Sequence, residues 1–458
     1  MERELLGVLD IGKTHAKLLL VDGPTGETVS CLERPCASIM RSSMRELDVA
    51  GIEQWLVTGL AESPYKAQVI ALVPVAHGAA AALLSPSDRI ITVPDYEDPL
   101  FESVRDAYRQ VRDPFSDSLS PFLPFGLNLG RQLYFLQHRR PDLFGAATTL
   151  LLYPQYWAWR LSGMMASEVT SLGCHSDLWW PRQSHVSQMA VSFGWEALLP
   201  ALRGADEVLG SISPQLARNT GLDPRCKVLC GIHDSNASYL CHLTGRALQE
   251  PFSVISSGTW TVVMAHAADL ARLHEEFDML AGVSALGSPV ATARFMGGRE
   301  YAAIAGPDCH SVRADPAAVA SVIAKGAYAL PSFSSARGPF ARHSASLVGA
   351  DKLDGAERCA LASLYCALMS DLLLDLLGSS GEVIIDGPLA SNPVYGPLLA
   401  ALRPRSAVCL ADHRAGPAQC ARNLLGYAAS DALLRSDPLE AGGLASYRSR
   451  WRSQIPLG

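Results

Sequence analysis

The 458 residues suffice for two or three domains, and a formal charge of −7 with a pI near 6.0 gives no electrostatic reason to expect nucleic acid or an anionic membrane as partner. Hydrophobic residues make up 48% of the chain, enough for a large core, yet no uninterrupted apolar run approaches the roughly 20 residues that span a bilayer. Eleven cysteines, an odd number without a Cys-x-x-Cys pair, read as reduced thiols rather than a disulfide framework or a zinc site. Met1-Glu2-Arg3-Glu4 runs directly into a strand without the basic start and apolar stretch of a signal peptide, so a cytoplasmic protein is expected.

Residues 5–21 read as strand, tight glycine turn and strand, with a third strand over 27–31 after the turn signal at 22–26. An amphipathic helix is expected over 52–61 and a buried strand over 67–75 ending at Ala76-His77-Gly78. Residues 93–124, rich in Pro and Asp, read as loop and short elements. Helices follow over 127–139 and 148–159, then a short strand over 227–230 leading into Gly231-Ile232-His233-Asp234, with a helix from Ser235. A second strand–turn–strand unit occupies 252–264, around Ser257-Gly258-Thr259-Trp260. Beyond it come a strongly apolar helix over 356–377, a strand over 382–385, a helix from Pro393 to Leu402, a strand over 407–410 and a long helix over 418–434. The repeated order suggests a duplicated α/β unit, divided near residue 245.

Four segments carry residue types suited to phosphoryl transfer. Asp10 ends one strand and faces a turn in which Gly12 and Thr14 offer open backbone and a hydroxyl, while Lys13 and Lys17 offer positive charge. A carboxylate placed there could hold Mg²⁺ directly or through water. The same residues also make an ordinary polar hairpin turn, and no P-loop pattern is present. Asp234, between strand end and helix start, suits a general base and equally a helix cap; His233 suits core packing. Gly258 and Thr259 could hold a phosphate or simply turn the chain. Gly387 and Asn392, in Asp386-Gly387-Pro388-Leu389-Ala390-Ser391-Asn392, could meet an adenosine, or Asn392 could cap the next helix.

Taken in order along the chain, these segments resemble the FGGY carbohydrate kinases of the sugar kinase, Hsp70 and actin superfamily, over essentially the whole length. Asp10-Ile11-Gly12-Lys13-Thr14 is similar to the family's first phosphate motif, and Ser257-Gly258-Thr259 to its second. Gly231-Ile232-His233-Asp234 is similar to the Gly-x-x-Asp that carries the catalytic base, a role this resemblance gives to Asp234. The segment from Gly387 to Asn392 resembles the adenosine motif, with Asp386 in place of its first glycine. His77-Gly78 resembles a sugar-contacting segment. Asp95-Tyr96-Glu97-Asp98-Pro99 stands where the family usually has an Asp-x-Arg substrate motif, and residues 415–422 replace a Gly-Ala-Ala-like stretch, which points to a divergent subgroup.

The resemblance implies an α/β fold of two ribonuclease H-like (actin-like ATPase) domains, 1–245 binding sugar and 246–458 binding nucleotide, with a nucleotide and sugar cleft between them. It implies ATP and Mg²⁺, the ion held by Asp10. ATP contacts would come from Gly12, Lys13, Thr14, Lys17, Gly258, Thr259, Gly387 and Asn392. Sugar contacts would come from His77, Gly78, Asp95, Asp98 and Asp234. A small sugar is the implied partner, a rhamnulose-, fuculose- or xylulose-like ketose being preferred; homodimers are common in the family. A superfamily ATPase without sugar kinase activity, or an inactive sugar-binding homologue, would share the phosphate turns.

Overall fold

The computed structural model describes residues 3–244, 246, 250–307, 312–334, 338–340, 343–411, 416–427 and 433–455. The chain forms two compact units. Unit 1 comprises Met1–Thr244, Ala281–Pro289 and Pro417–Ser430; unit 2 comprises Gly245–Leu280, Val290–Gly416 and Asp431–Gly458. The units are therefore not contiguous halves: two later segments return to unit 1. One of these carries the helix Gly416–Leu424, where buried Arg422 donates to the carbonyls of Gly23 (2.8 Å) and Pro24 (3.2 Å).

Unit 1 is built on a sheet of β1 (Leu5–Ile11), β2 (His15–Asp22), β3 (Thr28–Pro35), β4 (Val69–Ala76), β5 (Val208–Ser211), β6 (Lys227–Leu229) and β7 (Ile232–His233). The strand order is β5-β6-β4-β1-β2-β3, with β7 also pairing with β4. β1 runs antiparallel to β2 and parallel to β4. Leu5, Leu6, Val8, Leu9 and Ile11 are all buried, as a central strand covered on both faces requires. Helix α1 (Val49–Glu62) packs Ile52, Leu56 and Leu60 into this core, and the Asp48 side chain caps its start by accepting the Gly51 N–H at 2.9 Å.

The helix expected over 148–159 is instead a strand, Thr149–Leu152, followed by α2 (Tyr153–Ser162). Thr149, Leu150, Leu151 and Leu152 pair with Ala81–Leu84, and Pro154 fits only in the first turn of a helix, so the apolar run divides there. Helix α3 (Asp234–Leu243) follows β7.

Unit 2 repeats the arrangement. Strands β8 (Phe252–Ser257), β9 (Thr261–Ala265), β10 (Pro289–Phe295), β11 (Glu382–Asp386), β12 (Val408–Leu410) and β13 (Leu434–Arg435) pair in the order β10-β9-β8-β11-β12-β13. β8 is antiparallel to β9 and parallel to β11, as β1 is to β2 and β4. Helices α4 (Gly297–Ala305), α5 (Gly355–Leu376), α6 (Tyr395–Leu402) and α7 (Leu444–Ser453) pack around it. α5 is long and apolar enough to cross a bilayer, but it is a core helix with 89% of its apolar window buried. A capping box between Asp354 and Glu357 starts it. Completely buried Asp371 on α5 accepts from Arg403 (3.2 Å), Arg448 (2.7 Å) and Arg452 (2.6 Å), tying α7 to α5.

Two expected helix boundaries move. α6 begins at Tyr395 rather than Pro393, because Asn392 Oδ1 accepts the N–H groups of Val394 and Tyr395 (3.1 Å each) and sets the start there. The long helix expected over 418–434 ends at Leu424. Gly426, at φ +80°, stops it, and Leu434–Arg435 is already a strand; residues 428–432 lie outside the described residues.

Candidate active site

Parallel pairing brings three distant segments to one end of the unit 1 sheet. Asp10 aligns with Val75 across β1 and β4, Ile11 with Ala76, and His233 with the same Ala76 across β7 and β4. Asp10, His77 and Asp234 thus leave the carboxyl ends of three neighbouring strands, where parallel sheets place ligand-binding groups. Gly231 makes this possible. It has φ +84°, and a Cβ there would lie 2.5 Å from the Pro74 carbonyl oxygen. Only glycine lets the chain bulge by one residue after β6 and resume pairing as β7 along the same edge of β4. Asp234 then opens α3, its Oδ1 accepting the Ser235 N–H at 2.6 Å and lying 3.3 Å from His233 Nε2.

The electrostatics of this end are unusual. Burial, reinforced by the charge of Asp234, pushes the Asp10 carboxyl up to about 6, while Lys17, paired with it across β1 and β2, pulls the other way. A buried carboxylate whose charge is disfavoured by burial and by a neighbouring carboxylate suits a divalent cation. Mg²⁺ needs only one or two protein carboxylates when phosphate oxygens and water fill its remaining positions. Burial likewise lowers the pKa of His77, so its imidazole is neutral at pH 7. Its Nδ1 lies 2.8 Å from the Gly78 carbonyl oxygen, which can only accept; Nδ1 therefore carries the proton, and Nε2 is left as an acceptor for a hydroxyl.

His233 is buried like a packing residue, yet it is also part of this charge array. Burial works to lower its pKa, but Cys174 and Asp234 outweigh it and hold it at about 9. Gly78 leaves room for the imidazole, since a Cβ at that position would stand 2.7 Å from His233 Nε2. The sequence signal available for His233 was its place immediately before Asp234.

The turn joining β1 and β2 is closed by the Gly12 N–H donating to the His15 carbonyl at 2.9 Å, with Thr14 exposed at its tip. Lys13 does not extend into solvent from this turn: its Nζ is ion-paired with Asp95 and lies 3.8 Å from Glu97 Oε2. Asp95 is fully buried; burial raises its pKa, but Lys13 and Ser38 overcome that and hold it below the usual carboxylate range. Asp98, expected among the sugar contacts, is taken up locally. Oδ2 accepts the Arg45 N–H at 2.5 Å and Oδ1 the Leu100 N–H at 3.0 Å, so this side chain caps the 3₁₀ turn Pro99–Val104.

In unit 2 the two expected nucleotide segments lie side by side, because β8 and β11 pair in register with Ser256 opposite Asp386. Ser257 Oγ donates to the Asp386 carbonyl at 2.6 Å and accepts the Leu389 N–H at 2.9 Å. Gly387 has φ +81°, and a Cβ there would stand 2.1 Å from the Ser257 carbonyl oxygen. Gly258 and Thr259 are exposed, and the start of α4 abuts them: a Cβ on Gly298 would meet the Gly258 carbonyl oxygen at 2.3 Å. No side chain caps the first turn of α4, so its N–H groups and partial positive charge add to the anion-binding character of this turn. The sequence signal for this helix start is Gly297-Gly298, close behind the end of β10. Asn392 is engaged structurally, since its oxygen accepts the Val394 and Tyr395 N–H groups at the entry to α6 and its Nδ2 donates to Ser363 Oγ at 3.1 Å. Ala415, part of the altered C-terminal stretch, lies outside the described residues.

Residues 249–432 match the family model described as carbohydrate kinase FGGY, C-terminal domain. A carbohydrate kinase from Novosphingobium aromaticivorans superposes with a TM-score of 0.89 at 37% identity, covering 99% of both chains. The chain belongs to the FGGY carbohydrate kinase family. A xylulose kinase from Rhodospirillum rubrum shares the fold, with a TM-score of 0.78 at 16% identity over 98% of this chain and 97% of that one. L-fuculokinase from Haemophilus influenzae is 28% identical over 147 residues, 31% of this chain and 29% of that protein, so this FGGY kinase homologue spans under a third of the fuculokinase it matches. The fold is accordingly the two-domain actin-like ATPase fold.

Proposed function

We propose that this FGGY family member transfers the γ-phosphate of ATP to a primary hydroxyl of a small uncharged sugar, a ketose of the rhamnulose, fuculose or xylulose type, in the cytoplasm. The observation that carries the reading is Asp234, a carboxylate at the strand-end site beside neutral His77, cationic His233 and a second carboxylate, Asp10. In this reading Asp234 accepts the proton of the attacking hydroxyl as its oxygen bonds to phosphorus and the bond to the leaving ADP oxygen breaks. His77 Nε2 accepts from a neighbouring sugar hydroxyl and so orients the acceptor. Asp10 would hold Mg²⁺, which when bound neutralises charge on the phosphates. In unit 1 the turn at Gly12–Thr14, whose Gly12 N–H is already taken by the His15 carbonyl, would offer its remaining backbone donors to phosphate oxygens. Catalysis is then chiefly positioning and charge stabilisation.

A coupled ADP-release assay against a panel of ketoses, aldoses and polyols, with D-gluconate as charged control, tests this. One ketose is expected to stimulate turnover strongly, and Asp234→Ala to lower kcat at least about 10²-fold, in the range assigned to a positioned general base, while calorimetry still detects MgATP binding. Sugar-independent ADP release that survives Asp234→Ala would refute the reading and make the protein an ATPase.

A further inference from the structure

Lys13 lies in a turn expected to meet nucleotide phosphate, but its side chain is committed elsewhere within unit 1. Its Nζ is ion-paired with Asp95, lies 3.8 Å from Glu97 Oε2 and stands 4.9 Å from the centre of the Tyr96 ring. The anchor is fixed. Asp95 is completely buried, Oδ1 also accepts the Glu97 N–H at 3.0 Å, and Oδ2 accepts from the Ser38 hydroxyl. A carboxylate held on both oxygens cannot swing out to follow a ligand, so Asp95 sets where Lys13 lies rather than touching substrate itself.

The surroundings show what Lys13 can read. The ring beneath it, Tyr96, packs edge-on against His77 with centroids 5.8 Å apart. His77 is the acceptor group placed beside Asp234 in the reading above. An ammonium has three donors, and the Lys13 side chain keeps 20% of its surface exposed, enough to offer one of them to a ligand. Its charge is balanced locally by Asp95 and Glu97, which removes the incentive to seek a phosphate and leaves a positioned donor suited to a neutral hydroxyl or carbonyl oxygen.

Resting on the kinase reading, we propose that Lys13 is a specificity-determining residue of the sugar site, donating to an acceptor oxygen, and is not a ligand of the nucleotide phosphates. The test is steady-state kinetics with L-fuculose, L-rhamnulose and D-xylulose, each varied at saturating MgATP and the reverse, for the unsubstituted protein, Lys13→Met and Asp95→Asn. Lys13→Met is expected to raise the KM of the accepted ketose tenfold or more and to change the ranking of the three, with the MgATP KM moving less than twofold. Asp95→Asn, which keeps the ammonium but loosens it, is expected to shift the ketose KM in the same direction by a smaller factor. Should Lys13→Met fail to fold, Lys13→Arg carries the test, because a guanidinium keeps the pairing with Asp95 while aiming its donors differently. A variant in which the MgATP KM rises and the ketose KM and ranking stay unchanged overturns the inference alone. An unsubstituted protein that releases ADP with none of the ketoses or other acceptors overturns the kinase reading and this inference with it.

Discussion

Asp10→Asn offers a sharp test, because it separates what Asp10 costs the fold from what it does for catalysis. Burial and the charge of Asp234 raise the Asp10 pKa from 3.8 to about 6. The folded state therefore binds the proton more tightly than the unfolded chain does. The stability this represents is present below pH about 4 and is lost as pH rises through about 6. A shift of about 2 units corresponds to ~3 kcal/mol; since Asp10 is not wholly buried, screening reduces this to an expected ~2 kcal/mol at pH 8. Asparagine keeps the shape and has no charge to desolvate. In metal-free buffer the variant should melt about 4–8 °C above the unsubstituted protein at pH 8, a gap that shrinks toward pH 4. It should also lose Mg²⁺-dependent turnover and most of the stabilisation that MgATP gives the unsubstituted protein. Calorimetric melting from pH 4 to 8, with and without MgATP, reads the gap, its pH dependence and the ligand stabilisation, and a coupled ADP-release assay reads the turnover. A gap that is absent at pH 8, or that does not change with pH, would refute the claim that the ionised Asp10 is an electrostatic burden which a cation relieves.

Two further substitutions probe the scaffold. Gly231→Ala places a methyl 2.5 Å from the Pro74 carbonyl oxygen in a left-handed conformation, so it should destabilise by roughly 2–4 kcal/mol and lower kcat by displacing Asp234; denaturant unfolding alongside turnover checks both, and unchanged values of each would contradict the account of the β6–β7 step. Asp371→Asn leaves Arg403, Arg448 and Arg452 to share Asp375 as their remaining carboxylate and should cost roughly 1–3 kcal/mol in urea unfolding, with activity of the surviving folded fraction unchanged; a loss below ~0.5 kcal/mol would show that Asp375 alone suffices to hold them.

Much of the architecture was legible because it follows from local rules. The apolar runs on either side of Gly12 and Gly258 mark two hairpins, and both form with the expected glycine at the turn. The strand expected over 67–75 and the helix expected over 356–377 appear within two residues of their expected ends. The missed elements are those where tertiary pairing overrides a helical-looking composition. Leu150-Leu151-Leu152 is apolar enough for a helix, but Ala81–Leu84 offers a strand edge to pair with, and Pro154 supplies a helix start immediately after it. The return of Pro417–Ser430 to unit 1 has no local sequence signature at all, since it depends on buried Arg422 reaching carbonyls some 400 positions earlier in the chain.

The site residues divide on the same principle. The strand-end placement of the candidates Asp10, His77 and Asp234 was legible, because sequence pattern does locate where a strand stops. Their mutual proximity comes from parallel registry, which it does not. Lys13, Asp98 and Asn392 show the opposite case: residue type suggested a ligand, but the side chain is engaged within the fold. Asp98 accepts two backbone N–H groups, Asn392 starts α6, and Lys13 pairs with a carboxylate 82 positions away. A polar side chain near a turn has two ways to satisfy its hydrogen-bonding capacity, a neighbouring backbone group or a ligand, and the backbone group is always present. For Asp98 and Asn392 that competition is decided by groups two or three residues away. For Lys13 it is decided by Asp95 on a distant segment. It also leaves the ammonium partly exposed next to Tyr96 and His77, so this is the one of the three whose pairing redirects a donor rather than exhausting it.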